Sequence, residues 1–96
     1  MVVKQGVVLA VEAVEGTDAA IRRGGALGYG ESVVVKTAKP KQALRFDLPC
    51  VGAHTLESLK AAQSVVLGVE AGKTIMLFKE NLIKTANEQN ITLVGL

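Results

Sequence analysis

Tryptophan is absent from the 96 residues, and aromatic side chains make up only 3% of them. So few rings leave no platform for stacked bases and few of the residues that usually anchor a protein interface. An excess of one charge is missing too. Eleven basic and 9 acidic residues give a net charge of +2, too balanced for a dedicated nucleic-acid binder. The single cysteine, Cys50, cannot form an internal disulfide, which points to a reducing compartment. No stretch approaches the ~18 consecutive apolar residues of a membrane helix, so a soluble chain is expected. The opening MVVKQGVVLAV has the outline of a signal peptide, but Glu12 cuts its apolar run and no cleavage region follows.

What is present is aliphatic. Apolar residues make up 49% of the chain, most of them valine, alanine and leucine. That is enough for one core and excludes a disordered chain. A valine-rich, alanine-rich and glycine-rich mixture suits buried strands covered by small-residue helices. The run from Gln5 to Ala13 reads as a buried strand. Thr17 then caps a short helix over Asp18–Arg23, which Gly24, Gly25, Gly28 and Gly30 bring to an end. Ser32 to Thr37 reads as a second strand and Ala38 to Pro49 as a loop. A helix over Thr55–Gln63 turns Leu56, Leu59 and Ala62 inward, and a strand over Val65–Val69 follows. A tight turn, a strand over Thr74–Phe78, a helix over Lys79–Gln89 burying Leu82, Ile83 and Ala86, and a strand over Ile91–Gly95 complete the chain. The expectation is one small α/β domain over residues 1–96, with a mixed β-sheet and about three helices.

VVLAVEA (Val7 to Ala13) recurs as VVLGVEA (Val65 to Ala71), which would place Glu12 and Glu70 at comparable strand ends. Buried strands drawing on the same few residues explain the echo equally well. Gly68-Val69-Glu70-Ala71-Gly72-Lys73-Thr74 imitates a phosphate-binding loop, but has three residues between its glycines instead of four and precedes a strand instead of a helix. A hairpin turn at Gly72 is expected there. The glycines at 24, 25, 28 and 30 do not spell a dinucleotide fingerprint, since they follow a helix instead of opening one.

Three other constellations carry more chemistry. Glu12, Glu15 and Asp18 span a strand end, a turn and a helix start. Oxygen ligands so placed suit Mg²⁺, although Asp18 serving the helix dipole and a solvated Glu15 account for the spacing too. Lys36, Lys39, Lys41 and Arg45 fall in a segment without acids, and Arg22 and Arg23 add two cations. Such residues suit phosphate oxygens, as they also suit a solvated loop. In Arg45-Phe46-Asp47-Leu48-Pro49 an acid sits between large apolar residues and needs a partner, whether a cation, a metal or a backbone N–H. His54 stands alone, without zinc-ligand or catalytic-triad spacing, and reads as a surface residue before a helix. Cys50 reads as a small apolar residue.

Residues Glu12 to Gly25 (EAVEGTDAAIRRGG), Val34 to Pro40 (VVKTAKP), Arg45 to Pro49 (RFDLP), Val69 to Thr74 (VEAGKT) and Ile91 to Gly95 (ITLVG) resemble, in order, the C-terminal half of the two-domain UDP-2,3-diacylglucosamine pyrophosphatases of lipid A biosynthesis. Two positions depart from that pattern. Ala43 stands where an acid commonly follows the glutamine, and Ala53 where a proline commonly follows the glycine. The resemblance implies a cytoplasmic, Mg²⁺-dependent hydrolase, in peripheral contact with the inner membrane, that cleaves a nucleotide-linked glycolipid to 2,3-diacylglucosamine 1-phosphate and UMP. It implies a missing N-terminal domain. Carried over on these motifs, Asp47 is the catalytic candidate. Thr17, Arg22, Arg23, Lys36, Lys39 and Arg45 are candidates for binding substrate, and Glu12, Glu15 and Asp18 for the metal. Apolar composition, with mean hydropathy of +0.34, points to a homo-oligomer. A non-catalytic anion-binding module and an oligomerisation module are the rival readings.

Overall fold

In the computed structural model, which describes residues 1–37 and 49–96, the chain first reverses at Gln5-Gly6, with φ of 50° and 79°. Two positive φ values in sequence make the mirror-image turn that suits a two-residue hairpin. It joins β1 (Val2–Lys4) to β2 (Val7–Ala10). The single buried strand expected over Gln5–Ala13 is thereby corrected. Its first two residues are the turn, and β2 is an edge strand with Val7 58% and Val8 52% exposed. A continuous apolar run signals a strand but does not say whether that strand lies inside or at the edge.

Helix α1 (Thr17–Gly28) begins after Gly16, whose φ is 90°. Thr17 is thus the first helical residue and not the cap. Gly24, Gly25 and Gly28 do not stop this helix, contrary to expectation, whereas Gly30, with φ 81° and its N–H on the Gly25 carbonyl at 3.1 Å, does lie in the turn that ends it. Gly24, Gly25 and Gly28 form its buried stripe. A Cβ on Gly24 would lie 2.5 Å from Val2 Cβ, one on Gly25 2.5 Å from Ala62 Cβ, and one on Gly28 2.5 Å from Leu9 Cδ1. Close approach, not chain termination, accounts for glycine here. The helix ends at Tyr29, in the left-handed region (φ 57°, ψ 38°).

The remaining elements are β3 (Val33–Lys36), β4 (Cys50–Val51), α2 (Ala53–Ala61), β5 (Val66–Val69), β6 (Ile75–Met76), α3 (Lys79–Glu88) and β7 (Thr92–Gly95). Five strands form one mixed sheet in the order β2-β1-β3-β5-β7, and β4 pairs with β6 in a separate two-stranded piece. The chain is therefore a small α/β domain with a mixed sheet and three helices, as its sequence implies. The strand expected over Thr74–Phe78 is only two residues long and pairs with β4, not with β5. The turn with Gly72 at φ 77° accordingly links two sheets and is not a hairpin turn. The expected loop falls almost wholly on residues 38–48, outside the described residues, and with it Lys39, Arg45 and Asp47.

Pairing register explains the layers. Ala10, Val2, Val34, Leu67 and Leu93 form one cross-strand row facing the helices, and all belong to or pack against the core. Ile21 of α1, Leu56 and Leu59 of α2, and Leu82 and Ala86 of α3 cover it. Ile83 departs from its expected inward place and is exposed. Pleating turns the intervening residues to the opposite face. One row there runs Val8, Val3, Val33, Val66, Thr92, and a second runs Val35, Gly68, Val94. Ser32 and Ser64 share a buried 2.8 Å hydrogen bond that gives each hydroxyl oxygen a partner. Among the described residues no helix is long and apolar enough to cross a membrane.

The echo pairs an edge strand with a central one. The succeeding elements differ as well, a helix after β2 and the short β6 after β5, so the two segments are not repeated units.

The glycine stripe is directly testable. In Gly25→Ala the new Cβ would meet Ala62 Cβ at 2.5 Å and the Ala62 backbone oxygen at 2.7 Å, and backbone cannot move aside cheaply. Despite a helix-propensity gain of up to ~1 kcal/mol, overpacking is expected to lower stability by about 1–3 kcal/mol net in urea denaturation. An unchanged or raised midpoint contradicts the packing described.

Candidate functional site at the sheet's carboxyl edge

Because β1 is antiparallel to both β2 and β3, strand β2 runs in the same direction as β3, β5 and β7. Four strands therefore end at one edge of the sheet. Open α/β sheets hold their ligands at such an edge. Glu12, Glu15, Thr17 and Asp18 follow β2 there, Lys36 ends β3, and Glu70 follows β5. The amino ends of α1, α2 and α3 face the same edge, since each helix returns the chain to start the next parallel strand. Their N-cap positions are Gly16, Gly52 and Phe78, none of which supplies a capping side chain. First-turn N–H groups at such ends favour anions.

The acids of the edge are engaged one by one. Thr17 Oγ1 donates to Glu12 Oε2 at 2.8 Å. Arg23 Nη2 donates to Glu15 Oε1 at 2.8 Å and to the Val11 carbonyl at 3.2 Å, tying the helix back to the end of β2. Asp18 reaches across to α2. Its Oδ1 accepts from the fully buried Ser58 hydroxyl at 2.8 Å, and its Oδ2 lies 3.1 Å from His54 Nε2. The other ring nitrogen of His54 lies 3.5 Å from Glu57 Oε2. Lys36 Nζ donates to the Cys50 carbonyl at 2.9 Å, fastening β3 to β4.

The structure thus gathers Glu12, Glu15, Thr17, Asp18, Arg23 and Lys36 at one edge. Arg22 departs from them. It lines a groove of about 380 Å³ between α1 and α2, with Tyr29, Gly30 and Gln63, toward the carboxyl ends of both helices. Among the described residues no three His, Cys, Asp or Glu side chains are grouped to hold a metal ion. The three turn acids face separate partners, and their present geometry does not make a Mg²⁺ ligand set. Two residues of this edge escaped sequence reading as site residues, His54 and Ser58. They lie 36 and 40 positions beyond Asp18 in the chain, and no local spacing announces that a helix pair will bring them together.

Similarity to known proteins bears on this edge. Residues 1–94 match the LpxI C-terminal domain. The chain belongs to that family. It is also 38% identical over 104 aligned residues to a protein of Caulobacter vibrioides named UDP-2,3-diacylglucosamine pyrophosphatase LpxI. That match takes in 98% of this chain and 36% of the relative, so the chain spans about a third of the relative's length. LpxI family membership accords with the resemblance carried by the strand-end and turn motifs.

Electrostatics at the edge yields a pH prediction. The hydrogen bond from Arg23 holds the Glu15 carboxyl below its ordinary value of 4.5. A carboxyl depressed by folding stabilises the fold above its unfolded value and loses that contribution as the pH falls through the folded one. Glu15→Gln removes it. The stability gap between the native chain and this variant is expected to be small, because the pair faces water. It should be open at pH 7 and close as the pH falls below 4.5, in urea titrations across that range. A gap that widens in acid contradicts the pairing.

Proposed function

We propose that this domain is the part of a UDP-2,3-diacylglucosamine pyrophosphatase that binds and hydrolyses the pyrophosphate, giving 2,3-diacylglucosamine 1-phosphate and UMP. The observation that carries the reading is the near-complete family match falling on a domain whose strand ends and helix amino ends converge on one edge. The amino ends of α1 and α2 and the Lys36 ammonium offer donors to phosphate oxygens there. Thr17, Arg23, Lys39 and Arg45 belong to the same binding set, whereas Arg22, in the groove toward the carboxyl ends of α1 and α2, stands apart from it. Water adds across the phosphoanhydride, one P–O bond forms and one breaks, and a base takes the proton. Asp47 is the candidate for orienting that water, in its ionised form.

Mg²⁺ is part of the proposal. When bound it neutralises pyrophosphate charge. The described acids do not form its cage as they stand, and no step is derived through it. The substrate is a nucleotide-linked glycolipid, met at the inner face of the membrane by a cytoplasmic protein in peripheral contact with it. An N-terminal domain completes the enclosure, because a lipid-sized ligand favours a domain interface over a single small domain. Self-association of the chain belongs to the same reading. A second reading, anion binding without hydrolysis, draws on the turn acids being tied to Thr17, Arg23 and Ser58.

Turnover separates the two. The 96-residue chain alone is expected to hydrolyse UDP-2,3-diacylglucosamine poorly or not at all, and a chain of the relative's full length to do so with Mg²⁺. In that longer chain Asp47→Asn should lower turnover at least ~100-fold, the scale of losing an acid–base group, with an unchanged melting temperature. Near-normal turnover removes Asp47 and leaves Glu12, Glu15 and Asp18 as candidates. Binding of UMP without turnover in any form of the protein supports the second reading.

A further inference from the structure

All the described acids are exposed except Asp18 and Glu70, which are half-buried. Asp18 is taken up by Ser58 and His54. Glu70 follows β5 at the carboxyl edge, and among the described residues nothing is hydrogen-bonded or ion-paired to its carboxylate. Its backbone is nonetheless fixed. The Glu70 N–H donates to the Lys36 carbonyl of β3 at 3.3 Å, and the Glu70 carbonyl accepts from the Lys73 N–H at 3.2 Å and the Thr74 hydroxyl at 3.0 Å. The sequence echo sharpens the contrast. After VVLAVEA the Thr17 hydroxyl donates to the Glu12 carboxylate, whereas after VVLGVEA the Thr74 hydroxyl donates to the Glu70 backbone and leaves the carboxylate open. A half-buried carboxylate that meets no protein donor has lost water without replacement. Lys36 pairs with Val69, which belongs to the core on the helix side. Glu70 comes one residue later on the same ladder, so pleating sends it to the other side of the rim. The cation and helix ends that suit phosphate thus stand on one side and Glu70 on the other.

We propose that Glu70 accepts hydrogen bonds from a pair of sugar hydroxyls of the substrate, and so serves its specificity. The proposal rests on the hydrolase reading for the identity of that substrate. An ionised carboxylate only accepts, and its two oxygens match two neighbouring hydroxyls. Acids at strand ends of other open α/β sheets hold ribose in this way. The substrate's other groups fit less well. A phosphate would meet like charge at Glu70, and a uracil ring presents a single N–H to two oxygens. A ligand lying across the rim would put its phosphates on the helix ends and Lys36 and its sugar on Glu70. Two parts of the substrate carry free hydroxyls, the ribose of the nucleotide and the glucosamine, and the same carboxylate chemistry serves either.

Calorimetric affinities of the 96-residue chain test this, with UMP, with dUMP, which lacks the 2′-hydroxyl, and with N-acetylglucosamine 1-phosphate, each in EDTA and in Mg²⁺. With ribose as the source, UMP should bind about tenfold more tightly than dUMP, the scale of one hydrogen bond to a charged group, and Glu70→Gln should bring the two within about twofold of each other. With glucosamine as the source, Glu70→Gln should instead weaken N-acetylglucosamine 1-phosphate about tenfold and leave UMP unchanged. Glu70→Ala is the second variant should the first fail to fold, and the melting temperature reports folding for both. Unchanged affinities in a folded variant overturn the proposal, as does the absence of binding by both kinds of ligand. An equal change for all three ligands overturns it too, as a bulk effect of charge, and an effect seen only in Mg²⁺ does so by making Glu70 a metal contact. Turnover by the longer chain judges the hydrolase reading separately, and turnover without any role for Glu70 in sugar binding leaves that reading standing and this one refuted.

Discussion

The close approach of α1 to its neighbours is the contact on which the rest depends. Three glycines let one helix touch β1 through Val2, β2 through Leu9 and α2 through Ala62, at distances where a methyl group has no room. That places the amino end of α1 beside α2, so that Asp18 meets Ser58 and His54. Helix propensity alone argues against glycines in a helix, at about 1 kcal/mol each relative to alanine. Tertiary packing overrides that preference here.

A second consequence concerns the acids. Glu12, Glu15 and Asp18 lie within seven positions of one another, yet each turns to a different partner: a hydroxyl, a guanidinium, and a serine with a histidine. The turn is therefore a braced structure. Arg23 braces it to the end of β2, and Ser58 braces it to the second helix. Oxygen atoms that already hold protein donors are costly to redirect. Lys39, Arg45 and Asp47, outside the described residues, accordingly carry most of the chemical interest of the proposal.

Much of this architecture is legible in the sequence, and its failures have physical causes. Val33–Lys36, Ala53–Ala61, Val66–Val69 and Lys79–Glu88 fall close to where periodicity places them, because each buries a regular stripe. The hairpin at Gln5-Gly6 is missed because the apolar run continues on both sides of it, and hydrophobicity does not separate an edge strand from an inner one. The glycines of α1 mislead for the opposite reason. Their local tendency is to end helices, and only the neighbours, distant in sequence, give them another use. Of the site, the acids of the first turn and Lys36 at the end of β3 are readable from strand–turn–helix order. The contact of Asp18 with Ser58 and His54 is not, since it depends on how two helices lie side by side. Motif resemblance reaches the family where spacing alone leaves metal binding and a solvated turn open.

The central claim is that the carboxyl edge of the sheet is where this LpxI-family domain meets the phosphates of its ligand. Amide chemical-shift mapping of the 96-residue chain during a UMP titration tests it most directly, because it needs neither turnover nor the rest of a longer protein. The account predicts that the perturbed amides cluster over Val11–Asp18, at Lys36 and the segment after it, at Gly52–Thr55 and at Glu70–Thr74. Shifts confined to the groove between the carboxyl ends of α1 and α2, around Tyr29 and Gln63, or to the opposite edge of the sheet, would contradict it.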